Sequence, residues 1–417
     1  VALVARAIFA DLQSRTGRVS YSRRHDFYSA PLGYEKPFIP YAGMMKCVAA
    51  LAEAGIAHSE ISPPWPAGRG KQSVFCLTSG FAQETYRGDW FASLRLVPRQ
   101  AHDLVVVRDR ECGKVLPWPD AATGTRLSAE LAAINAHLAP AVVRVPDRFV
   151  DQVTDDGETL AVFNPAHPDR QPVIISPNTQ RRLYMPFRDS FDLGGRPVGW
   201  DAQIIPSPVR IHCTLYGEPV NEIDFSGSHI ALAYIAQGYD APLWDPYEAI
   251  CEETGFERAV AKRTALVALN ALNPQDALGS VYEYIVERLG APPEDKDHEN
   301  ALWADAKLAL STFQKVHAPI ANLVATDFGV KAQNAEAKIM LGCLHEVQRK
   351  AFHVIPMHDG LCGPERRTDE MISIAREAWT NVTGAKPPKI KVEEKEEETG
   401  KEGNHPPHVW DAFSEQK

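Results

Sequence analysis

Two aspartates that are far apart in the sequence each stand where an apolar, strand-like run meets a turn. Asp224 follows such a run within residues 216–233, YGEPVNEIDFSGSHIALA, and Asp359 stands at the tight turn of residues 352–361, FHVIPMHDGL. Hard divalent cations such as Mg²⁺ or Mn²⁺ prefer oxygen ligands, so each carboxylate could hold one, with the carbonyl of Phe225 as a further ligand. The alternative is that Asp224 only caps the helix that follows it.

A helical pattern over residues 256–271, FERAVAKRTALVALNA, carries two permanent cations. Arg258 and Lys262 are four residues apart, so both project from one face of the helix. Two cations on one turn suit a di- or triphosphate, which offers several anionic oxygens. The alternative is a solvated basic face that pairs with Glu253 or Glu257 nearby.

Together, these segments indicate more specific chemistry than any one of them alone. Two carboxylates on adjacent strand turns can hold two divalent ions about 3.5–4 Å apart. One ion would lower the pKa of a primer hydroxyl, and the other would neutralise charge on a leaving pyrophosphate. The cationic helix would bind the β- and γ-phosphates. This combination is the chemistry of nucleotidyl transfer.

Four segments, in this order, resemble motifs of the family A DNA polymerases and the single-subunit phage-type RNA polymerases. GGRPVGWDAQIIPSPVR resembles the glycine–arginine segment upstream of motif A, IDFSGSHIALAY resembles motif A, RAVAKRTALVALNA resembles motif B and MHDGL resembles motif C. The resemblance covers roughly residues 181–375. It implies an α+β fold with a right-hand palm built on an antiparallel sheet, helical fingers, and a DNA-directed DNA polymerase that uses two Mg²⁺ ions, primer–template DNA and nucleoside triphosphates.

The resemblance also implies a role for each matching residue. The catalytic metal ligands would be Asp224 and Asp359, with the Phe225 carbonyl beside them. The incoming nucleotide would be bound by Arg258, Lys262, His229 and Asn270. The primer–template would be contacted by Arg196, Gln203, Gln333 and His358.

Two positions depart from the family pattern and bear on nucleotide choice. Asn270–Ala271 stands where motif B has Tyr-Gly, which leaves sugar selection and fidelity open. His229 stands five residues after Asp224, where the DNA polymerases carry glutamate and the RNA enzymes glycine. A bulky imidazole there would still crowd a 2′-hydroxyl, which favours deoxynucleotides. Two alternatives stay open: a primase or RNA polymerase-like enzyme, and a winged-helix replication or regulatory DNA-binding protein whose polymerase half is degenerate.

The composition along the chain predicts six regions. Residues 1–95 contain a helical run and two strand-like runs around a basic turn with Arg69 and Lys71, which predicts a winged-helix-like unit within an α/β N-terminal region, with an α+β packing module as the alternative. The next four regions are a connecting or thumb-like region (96–175), the first part of the palm (176–250), the fingers (251–312) and the second part of the palm (313–385). Residues 386–417 are proline-rich and charged, which predicts a disordered tail.

Composition argues against several other classes of protein. The 417 residues carry a net charge of −10 at pH 7, which disfavours non-specific coating of nucleic acid by a basic surface. No apolar run reaches the roughly 20 residues of a membrane span, and no secretory signal pattern begins the sequence, so we expect no membrane partner and a cytoplasmic protein. The seven cysteines are scattered without a CxxC pair, which indicates free thiols and disfavours a structural zinc site.

Overall fold

The computed structural model describes residues 18–21, 41–61, 73–78, 81, 104–153, 159–167, 172–178, 181–289 and 293–393. The basic turn with Arg69 and Lys71 and the tail residues 394–417 lie outside the described residues. Within them the chain is a mixed α+β protein whose strand pairs are mainly antiparallel, as the sequence predicts. No described helix combines the length and apolar character that crossing a membrane requires.

The described strands form four sheets. Their bounds are β1 Arg18–Tyr21, β2 Ala57–Glu60, β3 Ser73–Leu77, β4 Val105–Arg108, β5 Val115–Leu116, β6 Val143–Arg144, β7 Val150–Val153, β8 Leu160–Val162, β9 Val173–Ile175, β10 Met185–Arg188, β11 Ser190–Gly194, β12 Thr214–Leu215, β13 Glu218–Phe225, β14 Ile355–Pro356, β15 Gly360–Pro364 and β16 Ile390–Val392. The sheet orders are β1-β3-β2, β11-β10-β4-β5, β7-β8-β9 and β14-β15-β13-β12-β6, with β16 also paired to β13. Only β4 and β10 run parallel among the described pairs.

The described helices lie mainly in the second half of the chain. Their bounds are α1 Tyr41–Glu53, α2 Ala121–Leu138, α3 Ser207–Arg210, α4 Ser228–Ala236, α5 Glu248–Thr254, α6 Arg258–Asn270, α7 Pro274–Leu289, α8 Lys296–Val316, α9 Phe328–Arg349 and α10 Thr368–Thr383. The longest, α9, packs against α10, β11, α4 and α6. A second apolar cluster holds α6, α7 and α8 together through residues such as Val267, Val281 and Ala306. Helix α6 also contributes Ala261 and Ala265 to the main core that contains Ile223 of β13, so it connects the helical group to the central sheet.

Strand β13 is central in its sheet and carries Asp224 near its end. It pairs with β15 on one edge and with β12 and β16 on the other. Ile223 and Phe225 are buried, and the Phe225 ring lies 4.7 Å from the ring of Trp379 on α10. Because side chains alternate between the faces of a strand, Asp224 points to the face opposite to this core contact.

The charged tail is ordered further than its composition predicts. Strand β16 pairs antiparallel with β13, with Asp224 opposite Lys391 and Phe225 opposite Ile390. The prediction that disorder starts at residue 386 is therefore wrong for residues up to 393. The reason is that an open edge of β13 offers backbone hydrogen bonds, which a strand can satisfy with little apolar burial of its own.

At the other end, helix α1 is followed by the antiparallel pair β2 and β3, in the predicted order of helix and then hairpin. The identification of this unit as a winged helix, and the predicted region boundaries, stay predictions.

Candidate active site

The two predicted aspartates are neighbours in the central sheet. Asp224 pairs with Gly360 across β13 and β15, and Asp359 is the residue before this partner. The backbone N–H of Phe225 donates a hydrogen bond to the carbonyl of Asp359 at 3.0 Å. A side chain at Gly360 would place its Cβ 2.0 Å from the carbonyl oxygen of Ile223, so glycine allows the strands to approach here. The strand pairing thus brings the aspartates together from positions 135 residues apart, 359 minus 224.

Burial and the repulsion from neighbouring carboxylates outweigh the positive charges near Asp224 and Asp359. Burial, followed in size by the negative charge of Asp359, raises the pKa of Asp224 to about 7. The positive charge of Lys262 opposes this increase. Burial, followed in size by the negative charge of Glu336, raises the pKa of Asp359. The Oδ1 atom of Asp224 is buried and has no hydrogen-bond partner among the described residues. A divalent cation with a preference for oxygen would relieve this charge imbalance, so the residues fit a Mg²⁺ site. The role of the Phe225 carbonyl as a ligand stays a prediction.

Helix α6 places its two predicted phosphate ligands differently. Lys262 is exposed, its charge acts on Asp224, and it forms no ion pair within the described part of the chain. Arg258 forms an ion pair with Asp245, with Nη1 2.7 Å from Oδ2, and its guanidinium lies 4.9 Å from the ring centroid of Tyr247. The arginine is therefore engaged by a carboxylate that the sequence pattern did not identify.

Tyr247 is close both to this ion pair and to the aspartates. Burial raises the pKa of Tyr247 to about 12, Arg258 opposes this, and the negative charges of Asp245, Asp224 and Asp359 add to it. All four charged groups are therefore close to one ring. This proximity links the start of α6 to the end of β13.

Glu253 and Glu257, the two glutamates that could have paired with Arg258 or Lys262, form ion pairs with other residues. Glu253 on α5 pairs with Lys315 on α8 at 2.6 Å, and Glu257 pairs with Arg288 on α7 at 2.5 Å. The alternative in which these glutamates neutralise Arg258 or Lys262 is therefore wrong. Both glutamates instead connect helices of the α5–α8 group.

A buried glutamate organises the residues on the other side of the aspartates. Glu336 on α9 accepts hydrogen bonds from Arg196 Nε at 2.7 Å and from Ser228 Oγ at 2.6 Å, and its carboxylate lies 3.3 Å from His229 Nε2. Arg196 Nη2 also lies 2.8 Å from His229 Nε2. Burial raises the pKa of Glu336, but the hydrogen bond and charge of His229 and the charge of Arg196 outweigh this and leave it below its ordinary value. Glu336 thus fixes two predicted site residues, Arg196 and His229, in one cluster.

His229 has one ring nitrogen that Arg196 and Glu336 do not contact. Its Nδ1 atom is buried and has no hydrogen-bond partner among the described residues. The nearby His358 is exposed, although part of its ring is desolvated. Burial and the charge of Arg196 lower the pKa of His358, and the charge of Glu336 opposes them. Gln333 is half-buried on α9, one helical turn before Glu336.

Gln203 and Asn270 use their side chains within the protein. Gln203 Oε1 accepts from the N–H of Trp200 at 3.1 Å, and its Nε2 donates to the carbonyls of Pro197 and Pro356. Its amide therefore ties the segment after Arg196 to β14 and leaves little capacity for a ligand.

Asn270, at the end of α6, donates from Nδ2 to the carbonyl of Leu266 at 2.7 Å. It also packs on α9 so closely that a Cβ on Gly329 would lie 2.0 Å from Asn270 Oδ1. Both contacts hold the end of α6 in place against α9. The nucleotide-binding role of Asn270 stays a prediction.

Lys391 is a site residue that the sequence reasoning missed. It is half-buried in β16, directly opposite Asp224, so both side chains lie on one face of the sheet. Its charge opposes the increase in the pKa of Asp224 and lowers the pKa of Asp245. The one signal in the sequence was the alternation of Ile390, Lys391 and Val392, which is brief and surrounded by charged residues.

The loop that carries Asp245 and Tyr247 is anchored by a buried histidine. His317 is fully buried, with Nε2 2.9 Å from the carbonyl oxygen of Pro246 and Nδ1 3.2 Å from the hydroxyl of Tyr234. A carbonyl only accepts, so Nε2 carries the proton and Nδ1 accepts from the tyrosine. Burial lowers the pKa of His317, so the ring is neutral in the folded chain.

We therefore expect the free energy of unfolding to fall as the pH drops below 6.5, the ordinary histidine pKa. The unfolded chain binds a proton that the buried ring does not, and each such histidine contributes a slope of up to about 1.4 kcal/mol per pH unit. The lowered pKa values of His353 and His358 act in the same direction. His317→Gln keeps a donor for the Pro246 carbonyl and removes one titrating group.

The measurement is urea unfolding of the chain and of this variant between about pH 7.5 and pH 5. The variant should be less stable at neutral pH and should lose less stability on acidification. An equal loss in both proteins would show that His317 is not the buried neutral group described above.

Comparisons with known proteins add little to this geometry. No protein-family model matches the chain, and no curated protein matches it. One similar solved structure is the POL domain of Pol1 from M. smegmatis in complex with DNA primer-template and dNTP, at a TM-score of 0.29 and 12% sequence identity. The match covers 69% of this chain and 57% of that chain, so this chain spans little more than half of it. A similarity this low does not indicate a function, and the residues of the site have to indicate it.

Proposed function

We propose that this chain catalyses template-directed nucleotidyl transfer, as a DNA-directed DNA polymerase that extends a primer with deoxynucleotides in the presence of Mg²⁺. The observation that carries the proposal is the pairing of β13 with β15, which places Asp224 and Asp359 side by side. The unpartnered Oδ1 of Asp224 and the nearby Lys262 support it. A buried aspartate with a purely structural role would have a hydrogen-bond donor for each oxygen, whereas Asp224 Oδ1 has none among the described residues and can serve a metal ion.

Asp224 and Asp359 would hold the metal ions, and the rest of the site keeps them ready to do so. When bound, Mg²⁺ lowers the pKa of an attacking 3′-hydroxyl and offsets charge on the leaving pyrophosphate. Both carboxylates must be deprotonated to bind metal, and the charges of Lys262 and Lys391 favour this form of Asp224. Lys391 is therefore proposed as a third cation of the site, beside the pair on α6.

Arg258 and Lys262 would bind the triphosphate, in different ways. Lys262 is exposed and without an ion-pair partner in the described residues, so it is available to a phosphate oxygen. Arg258 must exchange the carboxylate of Asp245 for phosphate. The ring of Tyr247 below the guanidinium can support the arginine during this exchange.

If Asp245 competes with phosphate for Arg258, Asp245→Asn should lower the Michaelis constant for the incoming nucleotide. The pair is partly exposed, and such pairs contribute about 0.2–1 kcal/mol, so the decrease should be between about 1.4-fold and fivefold. Asparagine keeps an oxygen that can accept from the N–H of Tyr247, as Asp245 Oδ1 does at 2.9 Å. Steady-state single-nucleotide incorporation measures the constant.

Glu257→Gln is the matched control, because it breaks the exposed pair with Arg288 in the same group of helices. It should leave the nucleotide constant unchanged. An unchanged or higher constant in Asp245→Asn would show that Arg258 does not need to leave Asp245 to bind nucleotide.

The cluster around Glu336 would contact the sugar and the primer–template. His229, fixed by Arg196 and Glu336, would crowd a 2′-hydroxyl and so favour deoxynucleotides. Arg196, Gln333 and His358 would face the minor groove beside it. For Gln203, whose amide is hydrogen-bonded to backbone, we propose a positioning role in place of direct contact with DNA.

The elements of the fold can be assigned to the parts of a polymerase. The central sheet with β13 and β15 would be the palm, and the helices α5–α8 would be the fingers. The unit of α1 with β1, β2 and β3 would be a winged-helix-like element that grips nucleic acid. The palm and fingers assignments rest on where the proposed metal and phosphate ligands lie, and the winged-helix assignment rests on the order of helix α1 and the β2–β3 pair.

The test of this function is primer extension by the purified chain on a defined DNA template. We expect Mg²⁺-dependent addition of the templated deoxynucleotide to an annealed primer. Synthesis that starts without a primer, or that prefers ribonucleotides, would favour the primase or RNA polymerase alternative. DNA binding without any incorporation would favour a binding protein with a degenerate polymerase half.

A further inference from the structure

Three side chains of different chemistry converge on the small N-terminal sheet, outside the proposed active site. His58 and Glu60 lie in β2, and Cys76 lies in β3 directly opposite His58. One ligand atom from each, an imidazole nitrogen, a carboxylate oxygen and the thiol sulfur, lie within 4.8 Å of one another. His58 and Glu60 are exposed, whereas Cys76 is buried. The cluster is therefore open to solvent on one side and closed on the other.

The register of the sheet explains why these side chains share one face. Residues opposite each other in an antiparallel pair point the same way, and so does a residue two positions along the strand. Ala57 and Phe75, which directly precede His58 and Cys76 and so point to the opposite face, pack with Val48 of α1. His58, Glu60 and Cys76 consequently lie on the face of the sheet that points away from α1.

The combination of ligands points to one metal more than to others. Nitrogen, sulfur and oxygen from His, Cys and Glu are the three donor types that zinc binds in proteins. Mg²⁺ and Ca²⁺ prefer sites made only of oxygen, so the thiol disfavours them. Three protein ligands leave one tetrahedral position for water on the exposed side, as zinc sites with an open position have.

A metal here would also supply stability where the apolar core is small. The described core of this unit consists of Tyr21, Val48, Ala57 and Phe75, and it is separate from the main core. Where a core is small, a metal or another crosslink can supply the missing stability. A bound ion would join β2 to β3 across the strands.

We propose that His58, Glu60 and Cys76 bind one zinc ion that holds the β2–β3 hairpin together. On binding, a Zn–S bond forms and the thiol proton of Cys76 is released to solvent. Residue spacing disfavoured a zinc site because the cysteines form no CxxC pair. The ligands instead meet through strand pairing, which spacing does not reveal. The site is independent of the proposed polymerase chemistry.

The test is zinc competition against a chromophoric chelator, with the full chain freed of metal. We expect one tightly bound Zn²⁺ per chain. His58→Ala, Glu60→Gln and Cys76→Ser should each weaken binding by at least about tenfold, since even outer partners of metal sites account for 10- to 100-fold. With Co²⁺ as the probe, the thiolate-to-cobalt charge-transfer band should be present in the parent chain and absent in Cys76→Ser.

Cys47→Ser is the matched control, because Cys47 is an exposed thiol on α1 of the same unit. It should keep both the zinc and the cobalt band. Asp224→Asn tests whether the zinc is bound at the proposed active site instead. The variant should keep the zinc, because the proposed ligands lie in the N-terminal sheet. Absence of tight zinc, or zinc that survives all three ligand substitutions, would overturn the proposal.

Discussion

Replacing Asp224 or Asp359 with asparagine is expected to reduce primer extension by at least about 1,000-fold. Bound metal contributes several kcal/mol of charge stabilisation, and 1.36 kcal/mol corresponds to a tenfold change in rate. Asparagine has nearly the same shape but lacks the charge that attracts the cation. DNA binding should be largely retained, because it depends on cationic side chains elsewhere.

Two controls show whether a loss of activity comes from the metal site. Asp240→Asn changes an exposed aspartate just after α4 and should leave extension unchanged. Mg²⁺ should raise the melting temperature of the parent chain, and less so that of either site variant, because only the folded site binds it. The variants themselves should be no less stable without metal, because each removes a repulsion that helps raise the pKa of Asp224. Extension that survives either substitution would remove these aspartates from catalysis.

Lys262→Ala is expected to raise the Michaelis constant for the incoming nucleotide by about 10- to 100-fold. A hydrogen bond to a charged group contributes about 1.5–3 kcal/mol, which corresponds to this range. Lys262 is exposed on α6 and its charge reaches Asp224, so loss of the ammonium should weaken the triphosphate contact beside the metal site. Single-nucleotide incorporation over a range of nucleotide concentrations gives the constant.

Arg263→Ala is the matched control for this lysine. Arg263 is the next residue on the helix, it is also exposed, and its guanidinium lies 5.5 Å from the ring centroid of Tyr284 on α7. It therefore points towards the neighbouring helix. The control should leave the nucleotide constant nearly unchanged. Equal effects of the two substitutions would indicate a general electrostatic influence and no specific contact from Lys262.

The sequence was sufficient to select the two aspartates, because each carries a local pattern. An apolar run followed by small turn residues marks Asp224, and the His-Asp-Gly turn marks Asp359. Helix α6 is likewise visible, because its apolar residues recur at helical spacing. What the sequence could not give is the register that makes Asp224 the partner of Gly360, because strand pairing between distant segments leaves no local pattern.

The residues that surround the aspartates were missed for a related reason. Asp245, Glu336 and Lys391 owe their roles to partners that are distant in sequence, namely Arg258, the Arg196–His229 pair and Asp224. A glutamate in a helix normally indicates a solvated position, so the burial of Glu336 is apparent only from the packing of α9. Composition predicted disorder around Lys391, because a strand of three residues contributes little to a compositional average.

The most direct measurement is anomalous X-ray diffraction from crystals of the chain with primer–template, a non-hydrolysable deoxynucleoside triphosphate and Mn²⁺ in place of Mg²⁺. We expect two anomalous peaks about 3.5–4 Å apart, between the carboxylates of Asp224 and Asp359. The nucleotide phosphates should lie between these ions and Lys262. A nucleotide bound elsewhere, or Mn²⁺ absent from the aspartates while nucleotide is bound, would contradict the proposed active site.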